Sequence, residues 1–306
     1  MIKKIGAALS LASLLTASSA VAEEKSEEPE QYNTLTGHTF VTPSYSDSAF
    51  NSTHFQFSQG FLYSKFNKFQ GKEQRLSLLG LNEKVDIGLQ LHERIGLFST
   101  VSGDLAAAFR HGEILYLYGF DTTHFEGGVA LVPYVNHWGT QIGFKPSAEL
   151  WHSNYLTLDS SSLTLSLDII DKPNNELFTS DSASGWGMGG SVNAAQAFGE
   201  YVSLQTSIDL IIGRKTIGPE SAEVDYSRFG FGAAFGADFS PHAPVALQVE
   251  YKMHLLTNLP DMHYLGGGFY FVEKEEKDLV VGINAGRQFV EAQETLRTQI
   301  VVKKHF

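Results

Sequence analysis

Residues 228–255 read RFGFGAAFGADFSPHAPVALQVEYKMHL, and this stretch decides the fold. Phe229, Phe231, Ala233, Phe235, Ala237 and Phe239 alternate with Arg228, Gly230, Gly232, Ala234, Gly236 and Asp238. After a turn at 240–244 the period resumes, with Val245, Leu247, Val249, Tyr251, Met253 and Leu255 set against Ala246, Gln248, Glu250, Lys252 and His254. Successive side chains of a strand point to opposite faces, so each run has one apolar face and one small or charged face. Such runs are longer than the roughly five or six residues usual for strands of soluble sheets, and suit the roughly 9–11 needed to cross a bilayer at a tilt. A water-facing sheet would fill its second face with Lys, Glu and Thr. Glycine with isolated charges suits instead the crowded interior of a barrel whose apolar face meets lipid.

The same period recurs at 85–91, 125–135, 138–150, 202–212, 279–285 and 296–302. Strands cross a bilayer only when closed into a barrel, because an open edge leaves backbone groups unpaired in hydrocarbon. The expected fold is all-β: a transmembrane antiparallel up-and-down β-barrel over 51–306. Composition agrees, since 18% of the 306 residues are charged, against about 25% in soluble domains. A mean hydropathy of -0.10 excludes a bundle of membrane helices, each of which needs about 20 apolar residues. The absence of cysteine excludes a disulfide scaffold, a thiol catalyst and Cys-ligated metal. A net charge of -12 argues against nucleic acid as a partner.

At the N-terminus, Lys3 and Lys4, an apolar run from Ile5 to about Thr16, and Ala20-Val21-Ala22 form the three parts of a secretory signal peptide, with cleavage expected after Ala22. No cysteine follows the apolar run, so a lipid-anchored lipoprotein is excluded. Residues 23–50 begin with Glu23, Glu24, Lys25, Ser26, Glu27, Glu28, Pro29 and Glu30, and are expected to form an acidic periplasmic tail, largely disordered.

At the other end Leu296, Thr298, Ile300 and Val302 alternate toward a terminal Phe306. This resembles the closing strand of bacterial outer-membrane β-barrel proteins, departing from it at Lys304. The resemblance implies residence in the outer membrane of a Gram-negative bacterium, with membrane lipid, lipopolysaccharide and the barrel-assembly machinery as partners. Leu76-Ser77-Leu78-Leu79-Gly80-Leu81 and Val85-Asp86-Ile87-Gly88-Leu89 resemble hairpins of barrels proposed to move hydrophobic compounds.

Barrels of this class have short periplasmic turns, longer outer loops and usually an even strand number. With Phe306 on the periplasmic side, short turns fall at 273–278, 240–244, 196–201, 136–139 and Asn82-Glu83-Lys84. Outer loops fall near 290–295, 256–262 and 213–226, with two long excursions over about 151–183 and 98–123. The count is twelve strands. Gly103-Asp104-Leu105-Ala106-Ala107-Ala108-Phe109-Arg110 has the composition of a short helix; the competing reading continues the strand, because Ile95, Leu97, Val101, Leu105 and Phe109 keep one parity. Leu163, Leu165, Leu167 and Ile169 suggest strands prolonged into an outer hairpin.

Motifs for chemistry are few. His152 and Ser153 in Trp151-His152-Ser153-Asn154 are the nearest approach to a lipid hydrolase, but adjacent strand residues point apart. His92-Glu93-Arg94 lacks the second histidine of a helical zinc site, and Gly213-Arg214-Lys215-Thr216 reads as an exposed basic loop. The glycines of 185–190 would relieve crowding inside a barrel, and Gly232 and Gly236 lie on a strand, where helix-pairing spacing has no meaning. Asp171, Asn174, Asn175, Glu176 and Asp181 could bind a cation or lipopolysaccharide, or form a solvated loop. No cofactor is expected.

By parity the lumen receives Asp86, Gln90, His92, Arg94, Gln141, Lys145, Glu149, Ser203, Gln205, Asp209, Arg228, Asp238, Gln248, Glu250, Lys252, His254, Asn284, Gln288, Arg297 and Lys303, while Leu296, Ile300, Val302 and Phe306 mark the closing strand. Both signs of charge are present. Either a narrow wet path or a salt-bridged interior closed by the outer loops fits this set. The expected function is a channel or passive transporter for small solutes. The alternatives are a non-conducting barrel with a structural, adhesive or receptor role, and a lipid-modifying hydrolase.

Overall fold

The computed structural model describes residues 34–35, 38–44, 48–66, 76–109, 116–136, 139–159, 178–217, 222–238, 244–257, 261–273, 279–290 and 293–306. A short hairpin, β1 (Thr34–Leu35) and β2 (His38–Thr39), precedes the barrel strands. These are β3 (His54–Phe66), β4 (Leu76–His92), β5 (Ile95–Phe109), β6 (Tyr116–Val135), β7 (Thr140–Asp159), β8 (Phe178–Phe198), β9 (Val202–Ile217), β10 (Ala222–Asp238), β11 (Val245–Leu256), β12 (Met262–Val272), β13 (Leu279–Val290) and β14 (Gln293–His305). Each pairs antiparallel with its sequence neighbours, and β14 pairs with β3, so the sheet closes as a twelve-stranded barrel with no edge.

Alternation places the side chains as the sequence requires. Along β11, Ala246, Gln248 and Glu250 are buried inside, while Leu247, Val249 and Leu255 face outward. Along β14, Leu296, Ile300, Val302 and Phe306 are exposed on the outer wall, whereas Thr295, Gln299, Val301, Lys303 and His305 are buried within. Tyr134, Phe198, Tyr201, Phe271 and Phe306 lie exposed near one rim, here the lower, and Tyr63, Trp186 and Phe289 lie toward the other, as interfacial girdles do. β6, β7 and β8 have 20, 20 and 21 residues. At about 3.3 Å per residue they reach well beyond a hydrocarbon layer of roughly 30 Å.

Several expectations are corrected. Residues 103–109 are strand, not helix: Leu105 faces out, and Ala106 is buried against Gly80, where a side chain on the glycine would collide with the Ala106 Cβ. Pairing with both β4 and β6 satisfies this backbone and overrides the helix propensity of alanine. Asn82-Glu83-Lys84 is not a turn but the middle of β4, with Asn82 buried inside. The hairpin turns instead at Glu93 and Arg94, so one hairpin replaces another and the count of twelve is kept. The connection at 213–226 shrinks to 218–221, and Gly213-Arg214-Lys215-Thr216 is strand, not loop. Within the long excursions, 98–109, 116–123, 151–159 and 178–183 are strand as well. Their remaining parts, 110–115 and 160–177, lie outside the described residues, as do the alternation at 163–169, residues 171–176 and the signal peptide. At two of the lower turns Gly139 and Gly199 take positive φ of 81° and 73°, a region that glycine enters without steric cost.

Candidate functional site

The lumen is occupied, and its occupant comes from the chain's own N-terminus. Phe40, Val41, Pro43, Ala49 and Ser52 are buried inside the lower half of the barrel, so the last residues of the tail expected in the periplasm over 23–50 lie in the lumen instead. The physical reason is visible in their composition: Phe40, Val41, Pro43, Ala49 and Phe50 are apolar, unlike the acidic run before them. Val41 packs among Ala246, Tyr270, Val272, Val280 and Val301. Phe40 and Ala49 pack against Ala195 and Ala197, with the Phe40 and Phe50 rings 4.8 Å apart between centroids.

Polar bonds from the wall fix this plug. Gln205 Nε2 and Gln248 Nε2 both donate to the Val41 carbonyl, at 2.7 and 3.0 Å. Gln141 Nε2 donates to the Ala49 carbonyl at 2.7 Å and Lys84 Nζ to the Ser44 carbonyl at 3.2 Å. The Ser44 amide donates to Glu250 Oε2 at 2.9 Å. Lys303 Nζ donates to Thr42 Oγ1 at 2.6 Å, and Asn284 Nδ2 bonds Ser44 Oγ. Most of these bonds address the plug's main chain. Below them the Phe306 amide donates to the Thr53 carbonyl at 3.1 Å, tying the plug's exit to the chain end. A cavity of about 60 Å³ remains between plug and wall, bordered by Pro43, Phe50, Lys84, Asp86, Lys145 and Lys303, enough for a few waters.

Above the plug the lumen is crossed by ion pairs. Glu149, 2% exposed, accepts from Tyr226 Oη at 2.9 Å and lies 3.1 Å from Arg228 Nη2 and 3.3 Å from His124 Nε2. Asp209 lies 3.6 Å from Arg228 Nε, 3.5 Å from Lys252 Nζ and 3.9 Å from His254 Nε2. Glycines make the room: a side chain at Gly230 would strike the Asp209 carboxylate, and one at Gly187 would strike Glu149 and Tyr226. Gly185 likewise leaves space for the Trp151 ring, over which Lys215 Nζ sits at 4.7 Å. Elsewhere Arg297 makes a bidentate pair with Asp104, at 2.8 and 3.1 Å, reaching over β3 and β4. Asp86 holds His54 Nε2 at 3.2 Å and accepts from Thr100 Oγ1 at 2.9 Å.

Of the residues expected to line the lumen, Glu149, Asp209, Arg228 and Lys252 meet in one network, while Glu250 holds the plug. Asp86 and Lys145 border the cavity beside it, and Arg297 pairs with Asp104. Gln90 lies near the lower rim, where its main-chain N–H donates to Thr53 Oγ1. Arg94 is corrected: it stands exposed in the β4–β5 turn, outside the wall, because β4 ends at His92 after an irregularity in register. The side chain of Asp238 lies outside the described residues, as does that of Asp181. His152 is exposed on the outer face, 3.0 Å from Asn154 Oδ1, and Ser153 is buried inside, so the two do not form a nucleophile–base pair. Among the described residues no cluster of His, Asp or Glu could hold a metal ion. Parity alone did not reveal the plug or the role of Tyr226. The apolar residues at 40–43 and 49–50 were the available signal.

No family model matches the chain, and no curated relative does either. Solved structures do. The translocator domain of the autotransporter NalP from Neisseria meningitidis matches with a TM-score of 0.55 at 8% identity, covering 84% of this chain and 89% of that one. The transport unit of the autotransporter AIDA-I from Escherichia coli matches at 0.55 and 8%, covering 89% and 95%, and the β domain of the Bordetella autotransporter BrkA at 0.51 and 11%, covering 83% and 100%. At such identities the likeness is one of fold. By fold the chain is a twelve-stranded bacterial outer-membrane β-barrel.

Proposed function

We propose that the protein is a gated outer-membrane channel for small solutes, held closed at rest by residues 40–44 and 48–50 of its own N-terminal segment. The observation that carries this reading is the pair of bonds from Gln205 and Gln248 to the Val41 carbonyl, which seats a short segment in a polar lumen by hydrogen bonds. Hydrogen bonds of this kind contribute about 0.5–1.5 kcal/mol each, so a handful can hold a plug and still release it. Acids and bases of both signs along the wall favour small polar solutes over one class of ion. In this reading the chain is exported with cleavage after Ala22, the assembly machinery reads the strand ending at Phe306, and the Phe306 rim faces the periplasm. Lipopolysaccharide surrounds the opposite rim.

Liposome swelling tests the gate. Vesicles carrying a variant without residues 40–50 are expected to admit small sugars quickly, and vesicles carrying the whole chain slowly. The ion pairs of Glu149 with Arg228 and of Asp104 with Arg297 favour a second reading, a barrel that never conducts. Equal and negligible swelling by both proteins, each correctly folded, would select it.

A further inference from the structure

On the outer wall, where lipid is expected, one hydrogen-bonded pair stands out of place. Gln59 on β3 and Glu83 on β4 are register partners, both are exposed, and Gln59 Nε2 donates to Glu83 Oε1 at 3.1 Å. Leu79 and Leu81 lie exposed above Glu83 on its strand, and Leu89 and Leu91 below it. Phe61 is exposed beside Gln59, Ile300 lies across the seam with β14, and Gly103 on β5 faces Glu83 between the exposed Val101 and Leu105. The pair thus lies inside the apolar band and not at its rim. Burial of a carboxylate in hydrocarbon carries a heavy desolvation cost unless its oxygens are bonded, and one bond from Gln59 leaves the second oxygen bare.

We infer that this face is the contact between two copies of the chain, related by a two-fold axis along the membrane normal. The pair is self-complementary: each copy offers an amide with a second N–H to donate and a carboxylate with a second oxygen to accept. A two-fold contact brings the same patch of each subunit together, so both vacancies are filled at once. Gly103 leaves the neighbouring surface low enough for close approach, as small residues do where membrane proteins associate. A chance binding partner would need its own matching donor at the same depth. A second copy carries it by construction.

Because the chain has no cysteine, single cysteines report the contact cleanly. Leu81→Cys places a thiol beside the pair, and Phe235→Cys places one on the opposite wall, six strands away. Oxidation of the full chain in its own membrane is expected to give a disulfide-linked dimer with Leu81→Cys and none with Phe235→Cys. Adding Gln59→Leu and Glu83→Leu to Leu81→Cys should lower the dimer about tenfold or more, the equivalent of losing hydrogen bonds to a charged group. The exchanged pair, Gln59→Glu with Glu83→Gln, keeps one donor and one acceptor and should retain the dimer, which separates a lost contact from a lost fold. Equal crosslinking at both cysteines, or a Leu81→Cys product whose mass shows a different protein, would overturn the proposal.

Discussion

The Val41 carbonyl is a small target for two glutamines, and that economy shapes what single substitutions should do. Gln205→Ala combined with Gln248→Ala removes both donors and leaves a buried carbonyl unpaired, at about 1–3 kcal/mol. The barrel keeps its ladder and should stay folded, while residues 40–50 become open to protease; unchanged cleavage would argue that apolar packing alone seats the plug. Glu149 behaves differently because it joins β6, β7 and β10 through His124, Arg228 and Tyr226. Replacing it with Leu leaves the Arg228 guanidinium only the longer 3.6 Å contact with Asp209, so the loss should approach but not exceed the roughly 3–5 kcal/mol of breaking a buried pair. Urea unfolding in detergent should show that loss, and a shift near zero would mean that Asp209 and water together compensate Arg228.

At the scale of elements, the sequence made the strands legible and the turns less so. Period-two alternation is a direct image of a pleated wall with lipid on one side, which is why β11 could be read almost to its ends and β10 from Arg228 to its lower end, while the upper part of β10 was taken for a loop. The local cues for turns and helices competed with that pattern and lost. Asn82, Glu83 and Lys84 look like a turn because three polar residues rarely sit in a membrane strand, yet Asn82 faces the lumen and Glu83 is bonded to Gln59. The alanines after Asp104 suggested a helix because propensity is a local property, whereas pairing on both sides is not. The plug was illegible for another reason. Its contacts join residues far apart in sequence, as Val41 to Gln248, and no periodicity records them. Topology has its own check: a cysteine at Arg94 should react with an impermeant thiol reagent only after the outer membrane is opened, and one at Thr257 should react in intact cells. The reverse pattern would turn the barrel over.

For the whole molecule, closure and occupancy divide the work. The ladder from β3 to β14 satisfies the backbone where lipid cannot, and it needs no crosslink, in keeping with a chain that has no cysteine. Function then depends on whether the lumen can be emptied. The most direct measurement is paired single-channel recording in planar bilayers from the whole chain and from a variant without residues 40–50, both shown to be folded by heat-modifiable migration. The gated-channel account predicts a nearly silent whole chain and sustained openings from the variant. Silence from the folded variant would contradict it.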